Sequence, residues 1–281
     1  MHSVPYDERA IARLLESATR TDGHPPFSGH KLEVIGDDRS RSGVWALGSI
    51  TCVVGVASFH EASGRWAVEI AVAPECRGPE MEERSIRAAT DLLPGSAVHT
   101  IWAFRSDQIE AAGRLGYREI RAVLRMAGPI PKTTNGPPSR IAIGTVESAD
   151  VGAMVAVNNR AFSGHPEQGA MTEADFETLA GQPWFDPAGV LVAREGERLA
   201  GFCITKQEGD QAGEIFVIAV DPVDQNSGIG RILIGAGFDV LRRRDVTTVS
   251  VWVDEANQPA VQFYASLGLA EDFRTRELAP S

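Results

Sequence analysis

The sequence predicts a mixed α/β (α+β) fold of two tandem domains, each with a central mixed sheet flanked by helices. Three observations support this: a strand, glycine loop and helix pattern at 213–244, a Pro- and Gly-rich break near 127–138, and the same order of elements on either side of that break. The repeat has the period of a whole domain, unlike the short periods of solenoids. We therefore expect domains at 1–130 and 140–281, joined by a linker at 131–139.

Composition and charge argue against several classes of partner. The chain has 281 residues, 43% of them apolar and 23% charged, which is sufficient for well-packed cores. Its net charge of −11 argues against nucleic acid, which needs a basic surface. The first ten residues do not have the pattern of a secretory signal, and no apolar run is long enough to span a bilayer. We expect a cytoplasmic monomer that binds neither nucleic acid nor membrane.

The three cysteines, Cys52, Cys76 and Cys203, lie far apart in the sequence. They form neither a CxxC pair nor a Cys/His spacing typical of zinc sites. The sequence therefore predicts three reduced, half-buried thiols and no metal site.

Hydrophobic periodicity and Gly/Pro positions predict the other elements. In the first half we expect helices near 7–20, 82–93 and 108–115, and strands near 44–47, 51–59, 66–73, 98–104 and 120–126. In the second half we expect a helix near 149–162 and strands near 190–193, 200–206 and 248–253.

The central stretch of the second half has the layout of an anion-binding cradle. An apolar, β-branched run from Ile215 to Val220 predicts a buried strand, which Pro222 ends. The segment Gln225–Gly230 then precedes a helix whose apolar residues are Ile229, Leu233, Ala236, Val240 and Leu241. Backbone N–H groups of such a loop and the helix dipole together favour a phosphate group. Two glycines after a strand, taken alone, are better explained by close packing in an α/β protein.

The first half carries a degenerate copy of this stretch. Residues 69–74 align with 217–222, and 115–117 align with 267–269. Counting on from Pro74, the two glycine positions are occupied by Glu80 and Glu82, and Pro79 removes a donor N–H. Two carboxylates would repel a pyrophosphate, so we expect no working phosphate loop in the first domain.

Two segments of the second half together resemble a known enzyme family. The sequence has neither the P-loop Gly-Lys-Ser/Thr nor the GxGxxG dinucleotide fingerprint. Its Val-x-Pro followed by Gln-x-x-Gly-x-Gly resembles the pyrophosphate loop of GNAT acetyltransferases, which bind acetyl-CoA. The later segment with Asn257, Ala260, Tyr264 and Gly268 matches the family pattern, with Leu269 in place of phenylalanine.

Within that family, the tandem organisation and the segments 157–169 and 184–187 resemble mycothiol synthase. The resemblance is dense from about 149 to 269 and looser before that. It implies transfer of the acetyl group of acetyl-CoA to the cysteinyl amine of cysteinyl-glucosaminyl-inositol, the last step of mycothiol biosynthesis. One departure is Gly29, which stands where the family has an acidic substrate contact. Two alternatives are a GNAT enzyme acting on another small amine and a non-catalytic acetyl-CoA-binding regulator.

The resemblance implies two catalytic residues. Acetyl transfer needs a neutral amine, so an ammonium must lose a proton. Glu214 occupies the position of the general base, although a strand-end carboxylate is by itself an ordinary surface group. Tyr264 occupies the position of the general acid that protonates the leaving thiolate, although helical spacing would also place it as a buried aromatic.

The resemblance also implies the binding residues. The cofactor-binding set is Ile218, Ala219, Val220, Gln225, Asn226, Ser227, Gly228, Ile229, Gly230, Arg231 and Asn257. Within it, the Val220 N–H is expected to stabilise the oxyanion, and Asn257 is also well suited to be a helix N-cap. The substrate-binding set is Glu167, Lys206, Glu214 and Trp252.

Overall fold

The computed structural model describes residues 8–27, 42–47, 52–60, 64–95, 97–131, 140–165 and 168–281. The predicted linker lies outside these ranges except for Pro131, and so do Gly29 and Glu167.

The described residues form seven helices and eleven strands. The helices are α1 Glu8–Asp22, α2 Pro79–Asp91, α3 Ser106–Arg114, α4 Val151–Ala161, α5 Glu173–Ala180, α6 Ile229–Arg242 and α7 Gln258–Ser266. The strands are β1 Ser42–Leu47, β2 Val53–His60, β3 Arg65–Val72, β4 His99–Ala103, β5 Tyr117–Pro129, β6 Ala142–Thr145, β7 Val190–Glu195, β8 Arg198–Gln207, β9 Ala212–Val220, β10 Thr248–Asp254 and β11 Ala270–Pro280.

The chain divides into two compact units. The first comprises Met1–Val123 together with Arg274–Ser281, and the second comprises Leu124–Phe273. Strands β5 and β11 each have residues in both units. The boundary predicted at 131–139 stays a prediction, since most of that segment lies outside the described residues.

The first unit is built on a mixed sheet in the order β1-β2-β3-β4-β11. β1, β2 and β3 are antiparallel, β3 and β4 are parallel, and β11 pairs antiparallel with β4. Leu278 of β11 is buried in the same core as Ile70 and Ile101. The strand that borders β4 therefore comes from the far end of the sequence.

The prediction of three reduced cysteines is wrong for two of them, because Cys52 and Cys76 form a disulfide. The antiparallel pairing of β2 with β3 brings the residue before β2 beside the turn after β3. Consistent with this, the Ala73 N–H donates to the Cys52 carbonyl at 2.8 Å. Cys203 is a buried free thiol, and burial raises its pKa to about 12.

The second unit has the sheet order β5-β10-β9-β8-β7-β6. Its strands from β6 to β9 are antiparallel, and β9 pairs parallel with β10. Helix α6 packs on one face, where Leu233 and Phe238 are fully buried. Helices α4 and α5 pack on the other face, where Met154 and Phe176 meet Phe202.

The structure confirms the mixed α/β class and most predicted elements to within a few residues. The elements not predicted are α5, β6 and β11. In the described ranges, no helix combines the length and hydropathy needed to cross a membrane.

Candidate active site

A gap opens between two parallel strands of the second unit. Strands β9 and β10 are paired at Ala212–Thr248, Gly213–Val249 and Glu214–Ser250. β9 nevertheless continues to Val220 and β10 to Asp254. Beyond Glu214 the two strands separate, so backbone groups on that side of β9 are available to a ligand.

The strand on the other side of β9 fixes the direction of those backbone groups. The β8–β9 register shifts at a bulge that leaves Phe216 without a partner residue, which bends β9. Beyond the bulge, the Asp221 N–H donates to the Ala200 carbonyl at 2.9 Å. Because hydrogen-bonded pairs alternate along an antiparallel ladder, the N–H groups of Ile218 and Val220 point away from β8, toward the gap.

The loop after β9 leads into the N-terminus of α6. Asn226 and Gly228 both have left-handed backbone angles, with φ of 61° and 89°. The first intrahelical bond runs from the Ile232 N–H to the Gly228 carbonyl. The N–H groups from Gly228 to Arg231 thus have no partner within the helix, as at any helix start. A Cβ added at Gly228 would meet no atom within 4 Å, so this concave loop has room for an anion beside its donors.

Two ion pairs hold this loop in place. Arg160 of α4 binds the buried Asp221, with Nη2 to Oδ2 at 2.5 Å. Arg198 of β8 binds Asp224, with Nη1 to Oδ2 also at 2.5 Å. Both arginines keep the pKa of Asp221 below its usual range, and Arg160 has the larger effect. The negative charges of Asp221 and Asp224 are therefore balanced by arginines, so they do not oppose the binding of an anion to this loop.

Glu214 lies at the point where the two strands separate. Its side chain is 8% exposed and its Oε2 lies 3.9 Å from Lys206 Nζ. Burial and the nearby charge of Glu208 raise the pKa of Glu214 to about 8, whereas Lys206 and Arg125 act in the opposite direction. A carboxyl group with a pKa near neutrality is suited to accept a proton from an ammonium group.

Lys206 lies between an aromatic pair and an acidic pair. Its Nζ is 5.2 Å from the Trp184 ring centre and 5.7 Å from that of Phe216. The same nitrogen is 3.6 Å from Glu208 Oε1. Lys206 is thereby held against Glu214, its partner in the β8–β9 register.

Tyr264 approaches from the other face of the sheet. It is 6% exposed and belongs to the α6-side core that includes Cys203 and Val251. Burial raises the pKa of Tyr264 well above its usual range, so its phenol stays protonated at neutral pH. Tyr264 is thus buried, as its helical spacing predicts. Its phenol also keeps the proton that a general acid needs.

The other predicted residues are placed as follows. Asn257 is the N-cap of α7, because its side chain accepts a hydrogen bond from the Ala260 N–H at 3.2 Å. Trp252 follows Ser250 by two residues on β10, so it shares a sheet face with Glu214. The residue is 37% exposed, and its ring meets that of Phe273 edge-on, with the ring centres 6.0 Å apart.

The structure therefore brings Glu214, Lys206 and Trp252 to one face and places Tyr264 on the other. Glu167 lies outside the described residues. Sequence reasoning did not single out Glu208. The segment from Lys206 through Gly209 to Glu214 forms a hairpin in which Lys206 is paired with Glu214. Predicting this hairpin would have placed Glu208 close to both. No cluster of three or more potential metal ligands is found in the ranges that the structure describes.

The first unit has the equivalent turn but a different loop. Arg77 Nε donates to the Val72 carbonyl at 3.1 Å, as Gln225 Nε2 donates to the Val220 carbonyl at 3.4 Å. Glu82, at the position equivalent to Gly230, is buried and forms an ion pair with Arg105. Burial outweighs this pairing and raises the pKa of Glu82 to about 7. A side-chain carboxyl thus occupies the start of this helix.

Comparisons with known proteins agree with this geometry. The sequence profile of the Acetyltransferase (GNAT) family matches residues 156–269. A tandem GNAT protein from the clavulanic acid biosynthesis pathway superposes with a TM-score of 0.71 at 15% identity, covering 98% of this chain and 97% of that one. A GCN5-related N-acetyltransferase from Sphaerobacter thermophilus gives 0.68 at 22% identity, with coverages of 96% and 90%. The shared fold and the profile match in the second unit together indicate the GNAT class of N-acyltransferases.

Relatives that match over most of the chain identify the family within this class. The mycothiol acetyltransferase of Thermomonospora curvata is 36% identical over 269 residues, which is 92% of this chain and 88% of the relative. That of Thermobispora bispora is 34% identical, covering 95% and 94%. The chain belongs to the mycothiol acetyltransferase family.

Proposed function

We propose that this protein transfers the acetyl group of acetyl-CoA to the cysteinyl amine of cysteinyl-glucosaminyl-inositol, the last step of mycothiol biosynthesis. The substrate follows from the family. The observation that carries the chemistry is Glu214, a buried carboxyl with a raised pKa at the point where β9 and β10 separate. A non-catalytic acetyl-CoA-binding regulator would have no use for such a base.

Acetyl-CoA is a substrate in this proposal, and the residues present fit it. Its pyrophosphate would meet the N–H groups from Gln225 through Asn226, Ser227, Gly228, Ile229 and Gly230 to Arg231. Its thioester would lie against Ile218, Ala219 and Val220, with the Val220 N–H facing the developing oxyanion. Asn257, whose side chain caps α7, is the proposed contact for the pantetheine arm.

The remaining residues act on protons and on the second substrate. Glu214 takes a proton from the cysteinyl ammonium, and the neutral amine then attacks the thioester carbonyl. Tyr264 gives its proton to the departing CoA sulfur, and it regains a proton from the nitrogen of the new amide, which still carries an extra one after the attack. Lys206 and Trp252 contact the hydroxyl-rich part of the substrate, together with Glu167. Proton transfer and binding thus account for the reaction without a covalent enzyme intermediate or a metal.

Steady-state acetylation tests this function. The purified protein would be given acetyl-CoA with cysteinyl-glucosaminyl-inositol, free cysteine or a panel of simple amines. Products would be quantified by mass spectrometry, because the cysteinyl substrate itself carries a thiol. Turnover confined to the mycothiol precursor supports the proposal. Turnover confined to another amine would refute the proposed substrate but not the acetyl-transfer chemistry. The replacement of the family's acidic substrate contact by Gly29 makes this outcome worth testing.

The variant Glu214→Gln separates an enzyme from a regulator. We expect kcat to fall by about 10²- to 10⁴-fold with acetyl-CoA affinity unchanged, since Glu214 lies before the cradle. Glu197→Gln, an exposed carboxyl in the β7–β8 turn, is the matched control. Equal rates in the two variants would contradict the assignment of Glu214 as the base.

A further inference from the structure

A buried general base needs a route for the proton that it accepts. If Glu214 deprotonates one ammonium per turnover, as the proposed function requires, it must lose that proton before the next cycle. Its side chain is 8% exposed, so direct exchange with bulk water is restricted, and more so with substrate bound.

The neighbours of Glu214 limit where the proton can go. The charged groups that face it are Lys206 of β8, Arg125 of β5 and Glu208, the residue after β8. Arg125 is itself bound to Asp272 of β11 by two hydrogen bonds, at 2.9 and 2.8 Å. Ammonium and guanidinium groups are donors and cannot accept a proton. Among these neighbours, only the carboxylate of Glu208 can accept one.

Glu208 is placed between Glu214 and solvent. Its N–H donates to the Ala212 carbonyl at 2.8 Å, which fixes it on the hairpin that ends at Glu214. In addition to burial, the charge of Glu208 and a side-chain hydrogen bond from it both raise the pKa of Glu214. Lys206 Nζ lies 3.6 Å from the Glu208 carboxylate and 3.9 Å from that of Glu214, so one cation contacts both groups. The Glu208 side chain is 41% exposed, compared with 8% for Glu214.

We propose that Glu208 is the proton outlet of Glu214, a positioning and relay residue that shares a proton with the base and releases it to solvent. In the first step the substrate ammonium gives a proton to the Glu214 carboxylate. Glu214 then passes that proton to the Glu208 carboxylate and becomes charged again. Glu208 finally gives the proton to water, so that each cycle ends with both carboxylates in their starting state.

The charges around the pair set the direction of its pH response. Glu208 disfavours the charged form of Glu214, whereas Lys206 and Arg125 favour it. Neutralising Glu208 should therefore lower the pH at which Glu214 ionises. It should also slow proton release, which is a kinetic effect. A purely structural role for Glu208 would produce neither change.

The test uses the full chain with Glu208→Gln, the conservative variant Glu208→Asp, and the control Asp210→Asn. Asp210 is an exposed carboxyl two residues further along the same hairpin. One readout is the carboxyl carbon-13 NMR titration of Glu214 without substrates, with its signal assigned by Glu214→Gln. The other is kcat at saturating acetyl-CoA and amine, measured with increasing phosphate at constant ionic strength.

We expect Glu208→Gln to lower the titration midpoint of Glu214 and to reduce kcat about tenfold, with partial recovery as phosphate replaces the lost acceptor. Glu208→Asp should retain most of the activity, and Asp210→Asn should match the parent protein in both readouts. An unchanged midpoint in Glu208→Gln, or a kcat within twofold of the parent, would overturn the proposal. If the parent acetylates no amine, the proposed function fails, and the substrate-free titration still decides whether the two carboxyls are coupled.

Discussion

Glu214 is subject to opposing electrostatic effects. Burial and Glu208 disfavour its carboxylate, while Lys206 and Arg125 favour it. The form that accepts a proton is the carboxylate, so activity should fall as the pH decreases through the pKa of Glu214, near 8.

Replacing Lys206 should move this acidic limb in the direction opposite to Glu208→Gln. Lys206→Gln removes a cation 3.9 Å from Glu214 Oε2, which raises the pKa of the carboxyl further. We expect the acidic limb of kcat/KM to move by roughly one pH unit toward higher pH. A pH profile of kcat/KM for the variant and its parent measures this, and a limb at lower pH would contradict the proposed coupling.

Tyr264→Phe separates the proton of Tyr264 from its packing. The substitution retains the aromatic ring at a position that is only 6% exposed, so the melting temperature should change little. We expect kcat to fall by about 10²-fold because the thiolate leaves without its acid. Kinetics at saturating substrates and thermal unfolding measure the two effects. An unchanged kcat would mean that Tyr264 is only a core aromatic.

At the scale of elements, the position of α6 depends on its close approach to β8. A Cβ at Gly201 would lie 2.7 Å from the Ala219 carbonyl oxygen and 3.0 Å from Leu233 Cδ1. We expect Gly201→Ala to lower the free energy of unfolding by about 1–3 kcal/mol. The control is Gly144→Ala in β6, where a Cβ would meet nothing within 4 Å. Chemical denaturation of both measures this, and equal stabilities would contradict the packing described.

Local elements were predictable, whereas the site's finer geometry was not. The strand at 215–220 and helix α6 follow from β-branched and helical spacing, which act over a few residues. The bulge at Phe216 depends on the register between β8 and β9. The cluster of Lys206, Glu208 and Glu214 depends on the same register, which a single sequence does not specify.

At the scale of the whole molecule, we expect the two copies to differ in their capacity for acetyl-CoA. In the first unit the helix start holds Pro79 and the buried Glu82–Arg105 pair. We expect isothermal titration calorimetry to give one acetyl-CoA per chain. Gly228→Val, which forces a side chain onto a backbone with φ of 89°, should remove most of this binding. A stoichiometry of two would contradict the prediction.

Two long-range features lay beyond what the sequence could predict. Cys52 and Cys76 are brought together by the antiparallel register of β2 and β3, and spacing alone suggested no pair. Strand β11 was not predicted, and its pairing with β4 joins Leu278 to Ile101 across most of the sequence. Such contacts depend on topology more than on local propensity.

The place of β11 has a consequence for how the protein is made. A ribosome synthesises residues up to Val123 and then the 150 residues from 124 to 273 before Arg274–Ser281 emerge. Until then the nascent first unit exposes the edge of β4 and the apolar pocket that Leu278 fills. Such an edge is open to mispairing, so a chaperone that shields this edge during translation should improve the yield of native protein.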